Sequence, residues 1–191
     1  MTHTVIVTLA ALGIVGQIAV LAIIVAAILA AAGVRGPLVF QRNLVRGYEL
    51  WLAFVVTAVA TLGSLFFSEI ADFVPCKLCW FQRIFMYPLA LVVPLMALAR
   101  DNRAARYLLP LPVIGAGVAV YHIMIEEGWV EQAHTCLISA PGGCATKWVD
   151  EFGYVTIPIL ALTGFALSFA LLLFAMLRPD GDDPLESASG A

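Results

Sequence analysis

The sequence predicts an all-α integral membrane protein, built as a four-helix transmembrane bundle plus one extra N-terminal transmembrane helix. Hydrophobic residues make up 62% of the 191 residues and charged residues only 12%, and the mean hydropathy is +0.99. A helix that crosses a bilayer needs about 20 predominantly apolar residues. Five stretches of the chain meet this requirement, so composition and pattern together exclude an ordinary soluble domain.

The first span is predicted over residues 5–34, which contain no charged residue. This run is longer than the about 7–15 apolar residues of a signal peptide, and no lysine or arginine precedes it. We therefore favour a retained helix that is tilted or partly interfacial because of its length. It makes up the first of three predicted regions, residues 1–34.

The second predicted region, residues 35–178, holds the four-helix bundle. Three of its spans carry no charge, and the span that begins near Leu78 carries only Arg83, close to its start; the four spans cover residues 50–67, 78–98, 107–125 and 154–177. The longest connection is the loop over residues 126–153. The third region, residues 179–191, combines acidic and small residues and is predicted to be a disordered cytoplasmic tail.

The arginines predict how the chain is oriented in the membrane, because basic loops stay in the cytoplasm. Under the five-span topology seven arginines fall on one face, namely Arg35, Arg42, Arg46, Arg100, Arg103, Arg106 and Arg178. Lys77, Arg83 and Lys147 fall on the other face. The N-terminus is therefore expected outside and the C-terminus in the cytoplasm. Topology accounts for the basic residues, so the lipid bilayer is an expected partner and nucleic acid is not.

Four cysteines form two pairs that are predicted to face the same compartment. Cys76 and Cys79 open the third span, and Cys136 and Cys144 lie in the loop after the fourth. Two crossings separate the pairs, so the chain returns to its starting face wherever the helix ends fall. The arginines place this face outside the cytoplasm, where disulfides persist. The arrangement suggests a relay that passes disulfides between the two pairs.

The Cys-x-x-Cys pair has the surroundings of a reactive thiol site. The positive end of a helix dipole and nearby cations lower the pKa of a thiol, and the thiolate is its reactive form. Pro75 suits the start of a helix, so Cys79 is expected in the first turn. Arg83 lies four residues beyond Cys79, on the same helical face. An arginine inside a membrane span is a candidate functional residue.

A quinone dissolved in the membrane is a natural acceptor for the two electrons that dithiol oxidation releases. The chain has no glycine-rich nucleotide motif, and Trp80 stands where a haem-attachment motif needs histidine. The predicted quinone pocket is apolar. Arg83 and His122, which lie at a similar depth, are predicted to contact the quinone carbonyls.

Other interpretations stay open from the residues alone. The cysteines can form static structural disulfides, although a bridge within Cys76–Cys79 closes a very short loop and restrains the unfolded chain least. A four-thiolate metal site is a weaker alternative, because the spacing of Cys136 and Cys144 is too wide for the usual zinc pattern. No metal is therefore predicted. Arg83 can instead extend to the membrane interface, and a lone histidine near a helix end is often an interfacial residue.

Four segments carry a family resemblance over roughly residues 48–177. They are Pro75-Cys-Lys-Leu-Cys-Trp-Phe-Gln-Arg-Ile-Phe-Met-Tyr-Pro88, Tyr121-His122, Cys136 with Cys144, and Gly153-Tyr-Val-Thr-Ile-Pro158. In pair order, in spacing and in the arginine they resemble disulfide bond formation protein B, the DsbB/BdbC group of membrane thiol:quinone oxidoreductases. The DsbA–DsbB–quinone system keeps the bacterial periplasm oxidising.

The resemblance implies two redox-active disulfides, Cys76–Cys79 and Cys136–Cys144. It implies that Cys136 forms a mixed disulfide with a DsbA-like thioredoxin-fold partner. Cys144 is then expected to exchange with Cys76, while Cys79 faces a quinone, either ubiquinone or menaquinone. The implied function is to sustain protein disulfide bond formation from the bacterial cytoplasmic membrane, using its quinone pool.

The resemblance also matches Arg83 and His122 to the quinone-site residues of the family. The chain departs from the family pattern in its extra N-terminal helix and in the close spacing of Cys136 and Cys144, which is more like the BdbC branch. Two alternatives are kept. The vitamin K epoxide reductase group performs similar chemistry, but its C-x-x-C follows the loop cysteines. A non-enzymatic membrane protein with static disulfides is the other.

Overall fold

The computed structural model describes residues 2–137 and 140–178, so the predicted tail over residues 179–191 lies outside the described residues. In the described part, five helical segments are long and apolar enough to cross a membrane. They are α1 (Thr2–Ala31), α3 (Glu49–Glu69), α4 (Lys77–Ala99), the short α5 (Ala105–Leu108) continuing into α6 (Pro110–Glu126), and α8 (Ile157–Met176). The predicted all-helical membrane bundle with an extra N-terminal helix is confirmed.

Two short helices lie in the described connections between the spans. Helix α2 (Gly36–Val45) fills most of the first connection, and a proline in its first turn suits a helix start. Helix α7 (His134–Leu137) lies in the long loop. The last span begins at Ile157 rather than at residue 154, because Val155 pairs with Glu151 across a turn in which Gly153 has a φ of 80°.

Helices α3, α4, α6 and α8 pack around one apolar core. Leu89 on α4 and Phe165 on α8 are fully buried in it. A side chain at Gly115 on α6 would clash with the Phe165 ring, so glycine lets α6 and α8 approach closely. Small residues at such contacts are typical of membrane helix packing. Helix α1 lies outside this bundle, against α8.

The two ends of the bundle differ in chemistry. At one end, which we call the cysteine end, the start of α4 meets the end of α6 and the long loop. At the opposite end, Arg178 Nη1 lies 3.6 Å from Glu49 Oε2, and both side chains are buried. Arg42 Nη2 donates to the carbonyl oxygen of Leu177 at 2.9 Å. The fold therefore gathers the four cysteines at the end remote from this ion pair.

Candidate functional site

The Cys-x-x-Cys pair lies at the start of α4. Cys76 is the N-cap residue, with extended backbone, and its sulfur accepts a hydrogen bond from the Cys79 backbone N–H at 3.4 Å. The two cysteines are thiols in this structure, and their sulfur atoms are 3.0 Å apart. Cys79 is in the first turn of α4, as Pro75 predicted.

Hydrogen bonds around Cys76 lower the pKa of its thiol to about 4. The largest cause is the hydrogen bond from the Cys79 thiol. Burial raises this pKa, while the hydrogen bonds from His122 and from the backbone N–H of Cys79 lower it further. A thiol of low pKa is a good leaving group in thiol–disulfide exchange, so Cys76 is suited to being released from a disulfide.

The loop cysteines are joined to each other. Cys136 on α7 and Cys144 in a 3-10 turn (Gly143–Ala145) form a disulfide with their Cα atoms 5.4 Å apart. The Cys144 backbone N–H donates to Gln132 Oε1 at 2.9 Å. Gly143 has a φ of 71°, and a side chain there would clash with Gln132 Oε1, so this turn requires glycine. Both loop cysteines are buried.

His122, near the end of α6, connects the two pairs. Its Nε2 lies 3.7 Å from Cys76 Sγ and 3.0 Å from the carbonyl oxygen of Cys144. Because a carbonyl oxygen only accepts, Nε2 carries the proton in this contact. The amide Nε2 of Gln82 donates to His122 Nδ1 at 3.2 Å, which fixes the same tautomer.

The two pairs also share one apolar environment. Cys76, Cys136 and Cys144 belong to a single buried cluster, which includes Leu78 and Ile125. The members of this cluster are the cysteines and aliphatic side chains. The structure brings together all four cysteines and His122, which the sequence placed in three separate segments.

A cavity of about 410 Å³ lies beside Cys79. Its polar wall comes mainly from α4, through Gln82, Arg83 and Tyr87, and most of the remaining lining is apolar. His122 is not among the described residues that line this cavity. The predicted contact between His122 and a quinone stays a prediction, and the neighbours that the structure gives His122 are Cys76, Gln82 and Cys144.

Arg83 is held inside the bundle. It is 8% exposed, and it donates from Nε to Ser64 Oγ and from Nη2 to the Ser64 carbonyl oxygen, both at 2.9 Å. The guanidinium carbon also lies 5.1 Å from the centre of the Trp80 ring, a cation–π distance. This arrangement differs from the interfacial anchor that was the alternative for Arg83. Since a guanidinium has five N–H donors, the others can serve a ligand in the cavity.

Two further residues of the site, Ser64 and Gln82, were not singled out from the sequence. Ser64 on α3 fixes Arg83, and Gln82 orients His122. Tyr87 carries a buried hydroxyl with no hydrogen-bond partner among the described residues, and it lines the cavity one turn beyond Arg83. Of the two missed residues only Gln82 carried a sequence signal, since it lies one helical turn beyond Cys79 on α4.

The site contains donors that a soft metal ion accepts. The two sulfurs of Cys76 and Cys79 and a ring nitrogen of His122 lie within 4.8 Å of one another, and zinc binds such sets. A four-thiolate site would need all four sulfurs reduced, whereas Cys136 and Cys144 are disulfide-bonded here. The expectation that the chain uses no metal stays a prediction.

Fold and site together define a multi-pass helical membrane protein in which two cysteine pairs meet at one end of the bundle. The family model described as disulfide bond formation protein DsbB matches residues 48–177. The chain therefore belongs to the DsbB family, and it is a membrane oxidoreductase of disulfide-bond formation. The vitamin K epoxide reductase alternative is not favoured by this result.

Curated relatives support the same family. A probable disulfide formation protein of Deinococcus radiodurans is 43% identical over 140 residues, which cover 70% of this chain and 92% of the relative. Probable disulfide formation protein C 1 of Bacillus anthracis is 41% identical over 69% of this chain and 93% of its own length. Disulfide bond formation protein C of Bacillus subtilis is 40% identical over 62% and 85%. No solved structure gave a significant match.

Proposed function

We propose that this protein reoxidises a DsbA-like thioredoxin-fold dithiol protein and passes the electrons to a membrane quinone. The observation that carries the proposal is the continuous arrangement at the cysteine end. A disulfide in the loop, a second cysteine pair on α4 and an apolar cavity beside Cys79 follow one another, with His122 between the two pairs. The protein would thereby sustain disulfide bond formation in its partner's substrates.

The proposed location is the bacterial cytoplasmic membrane, with the cysteine end outside the cytoplasm. The arginine asymmetry of the connections supports this orientation. In it, the partner reaches the loop from the compartment in which disulfides persist.

The first proposed step is an exchange at Cys136. A partner thiolate attacks the Cys136 sulfur, Cys144 leaves as a thiolate, and a mixed disulfide joins the partner to Cys136. The second partner thiol then releases the oxidised partner and leaves both loop cysteines reduced. Cys136 is only 3% exposed, so the loop has to move away from α4 and α6 before a protein can reach this sulfur.

The second proposed step transfers the disulfide from the α4 pair to the loop. With Cys76 and Cys79 oxidised to a disulfide, the Cys144 thiolate attacks Cys76 and Cys79 leaves. Cys136 then attacks Cys144, which re-forms the loop disulfide and releases Cys76. The lowered pKa of Cys76 favours that release. The net result is one loop disulfide and one reduced Cys76/Cys79 pair.

The cavity fits a quinone on two observations of the structure. Most of its lining is apolar, with Gln82, Arg83 and Tyr87 of α4 as its main polar wall, and the buried Tyr87 hydroxyl lacks a partner among the described residues. A buried polar group without a partner is costly, so a carbonyl oxygen is a suitable ligand for it. When bound, a quinone supplies a two-electron, two-proton acceptor for the Cys76/Cys79 pair.

The chain's own residues have distinct proposed roles at this step. Arg83, fixed by Ser64, donates to a quinone oxygen and stabilises a thiolate at Cys79. Tyr87 donates to a second oxygen. His122 holds Cys76 and the Cys144 carbonyl together, and the proposal keeps a direct contact between His122 and the quinone.

The test uses the full chain in lipid vesicles with a reduced thioredoxin-fold protein and a short-chain ubiquinone. We expect one quinol for each disulfide formed in the partner. A chain with both Cys136→Ser and Cys144→Ser should fail with the protein partner but still reduce quinone when a small dithiol is supplied. Static structural disulfides predict instead that no cysteine of the chain changes state and that no quinol forms.

A further inference from the structure

The extra helix α1 forms one wall of the cavity beside Cys79. Six of its residues line the cavity, at positions 9, 12, 13, 15, 16 and 19. Positions 9, 12, 13, 16 and 19 recur at intervals of three and four residues, which places them on one side of the helix. The wall is therefore a continuous face of α1 and not a chance contact of its end.

Close packing fixes this face against α8. A side chain at Gly13 would clash with Leu160, and one at Gly16 would lie 2.9 Å from Thr163 Cγ2. The Tyr154 hydroxyl, just before α8, donates to Gln17 Oε1 at 2.8 Å. Glycine contacts of this kind let two membrane helices lie close together, so α1 is packed on the bundle and is not a detached anchor.

The cavity is polar at one end and apolar at the other. Leu9 of α1 lies beside Gly63 of α3, and the next residue, Ser64, binds Arg83. Leu9 and the Arg83 guanidinium therefore lie at a similar height along α3. Ala19 lies ten residues further along α1, about 15 Å along the helix axis at 1.5 Å per residue. The α3 residues that line the cavity farthest along the chain from Ser64 are apolar, namely Val55 and Val56.

We propose that α1 completes a binding site for the isoprenoid chain of the quinone by covering the seam between α3 and α8. This inference rests on the proposed function and assigns the substrate class in more detail. A ring with two polar oxygens matches the Arg83 end, and a prenyl chain matches the apolar depth between α1, α3 and α8. The family match begins at residue 48, so this wall is added to the family's four-helix domain.

The test is photolabelling of the full chain with two quinone probes, one carrying a diazirine on the ring and one carrying it on the second isoprene unit. The ring probe should label α4 near Arg83, and the chain probe should label α1 between Leu12 and Ala19. Labelling by the ring probe without any α1 labelling by the chain probe would overturn the role of α1 and leave the proposed function intact. No labelling near Arg83 by the ring probe would overturn both.

A matched pair of neighbouring variants gives a second readout. Ala19→Phe fills the deep part of the cavity, whereas Ile18, which is 64% exposed and not among the lining residues, provides the control Ile18→Phe. Tryptophan fluorescence quenching should show at least a tenfold higher Kd of Ala19→Phe for a two-isoprene quinone and little change for a tailless benzoquinone. Ile18→Phe should bind both like the unaltered chain. Equal Kd values for the two variants would contradict the proposal.

Discussion

The two cysteine pairs are held in different ways, although they share one buried cluster. Cys76 and Cys79 lie within one helical turn of α4, where the backbone fixes their separation. Cys136 and Cys144 are carried by a four-residue helix and a 3-10 turn in the long segment between α6 and α8. The first pair can change its redox state with its backbone in place, while the second can move with its loop. In a relay, the Cys76/Cys79 pair is suited to passing electrons to a ligand in the cavity. The Cys136/Cys144 pair is suited to exchanging its disulfide with a protein partner.

The largest expected effect separates the two loop cysteines from each other. Cys136→Ser should abolish exchange with the partner while quinone still oxidises Cys76 and Cys79, because only the loop step is lost. Replacing Cys144 with serine should instead let a mixed disulfide between the partner and Cys136 accumulate. Non-reducing gels and thiol counting check both outcomes. Complete oxidation of the partner by the Cys136→Ser protein would contradict the assignment of Cys136 as the cysteine that exchanges with the partner.

The Cys76 thiol should also have a lower pKa than an ordinary cysteine thiol. In a reduced chain with Cys136→Ser and Cys144→Ser, Cys76 should lose its proton near pH 4 rather than near the usual 9.0. A lowered pKa means that the thiolate is present at neutral pH and disappears only as the pH falls through that value. The ultraviolet absorbance of the thiolate, followed as a function of pH, measures the pKa of Cys76.

Two variants separate the causes of that acidity. Cys79→Ala removes the largest hydrogen-bond contribution and should raise the pKa of Cys76 the most, while His122→Phe should raise it less. If the unaltered Cys76/Cys79 pair first loses a proton near pH 9, the contacts of Cys76 with Cys79 and His122 do not lower its pKa.

A smaller effect is expected at the cavity. Arg83→Gln removes hydrogen bonds from a charged donor, each worth about 1.5–3 kcal/mol. At about 1.4 kcal/mol per decade, the quinone KM should rise roughly ten- to a hundredfold. Arg83→Lys should recover little, because lysine lacks the planar fork that Ser64 holds. Exchange between the partner and Cys136, measured separately, should be unchanged.

The uncharged hydrogen bond from Tyr87 should contribute less to quinone binding than the hydrogen bonds from Arg83. Tyr87→Phe removes one uncharged hydrogen bond, worth about 0.5–1.5 kcal/mol, so the quinone KM should rise roughly two- to tenfold. Steady-state quinone titration ranks the variants. A Tyr87→Phe effect equal to or larger than that of Arg83→Gln would contradict the assigned polarity of the cavity.

Long apolar runs, four of them free of charge and one carrying only Arg83, made the five spans predictable. Pro75 and the Cys-x-x-Cys pair placed the start of α4. The packing of α1 was not predictable. Because α1 is apolar all round, its sequence carries no amphipathic pattern to show which side faces the bundle. The contact between His122 and the Cys144 carbonyl was also inaccessible, since it depends on how the loop folds back over α6. Ser64 acquires its role only when α3 meets α4.

The most direct test of the relay is to leave one cysteine in each pair. A chain with Cys79→Ser and Cys136→Ser retains only Cys76 and Cys144, whereas the matched control with Cys79→Ser and Cys144→Ser retains Cys76 and Cys136. Under mild oxidation, peptide mass spectrometry should find an intramolecular Cys76–Cys144 disulfide forming readily in the first chain and much more slowly in the control. Absence of this bond, or its faster formation with Cys136, would contradict a relay that runs from Cys76 through Cys144.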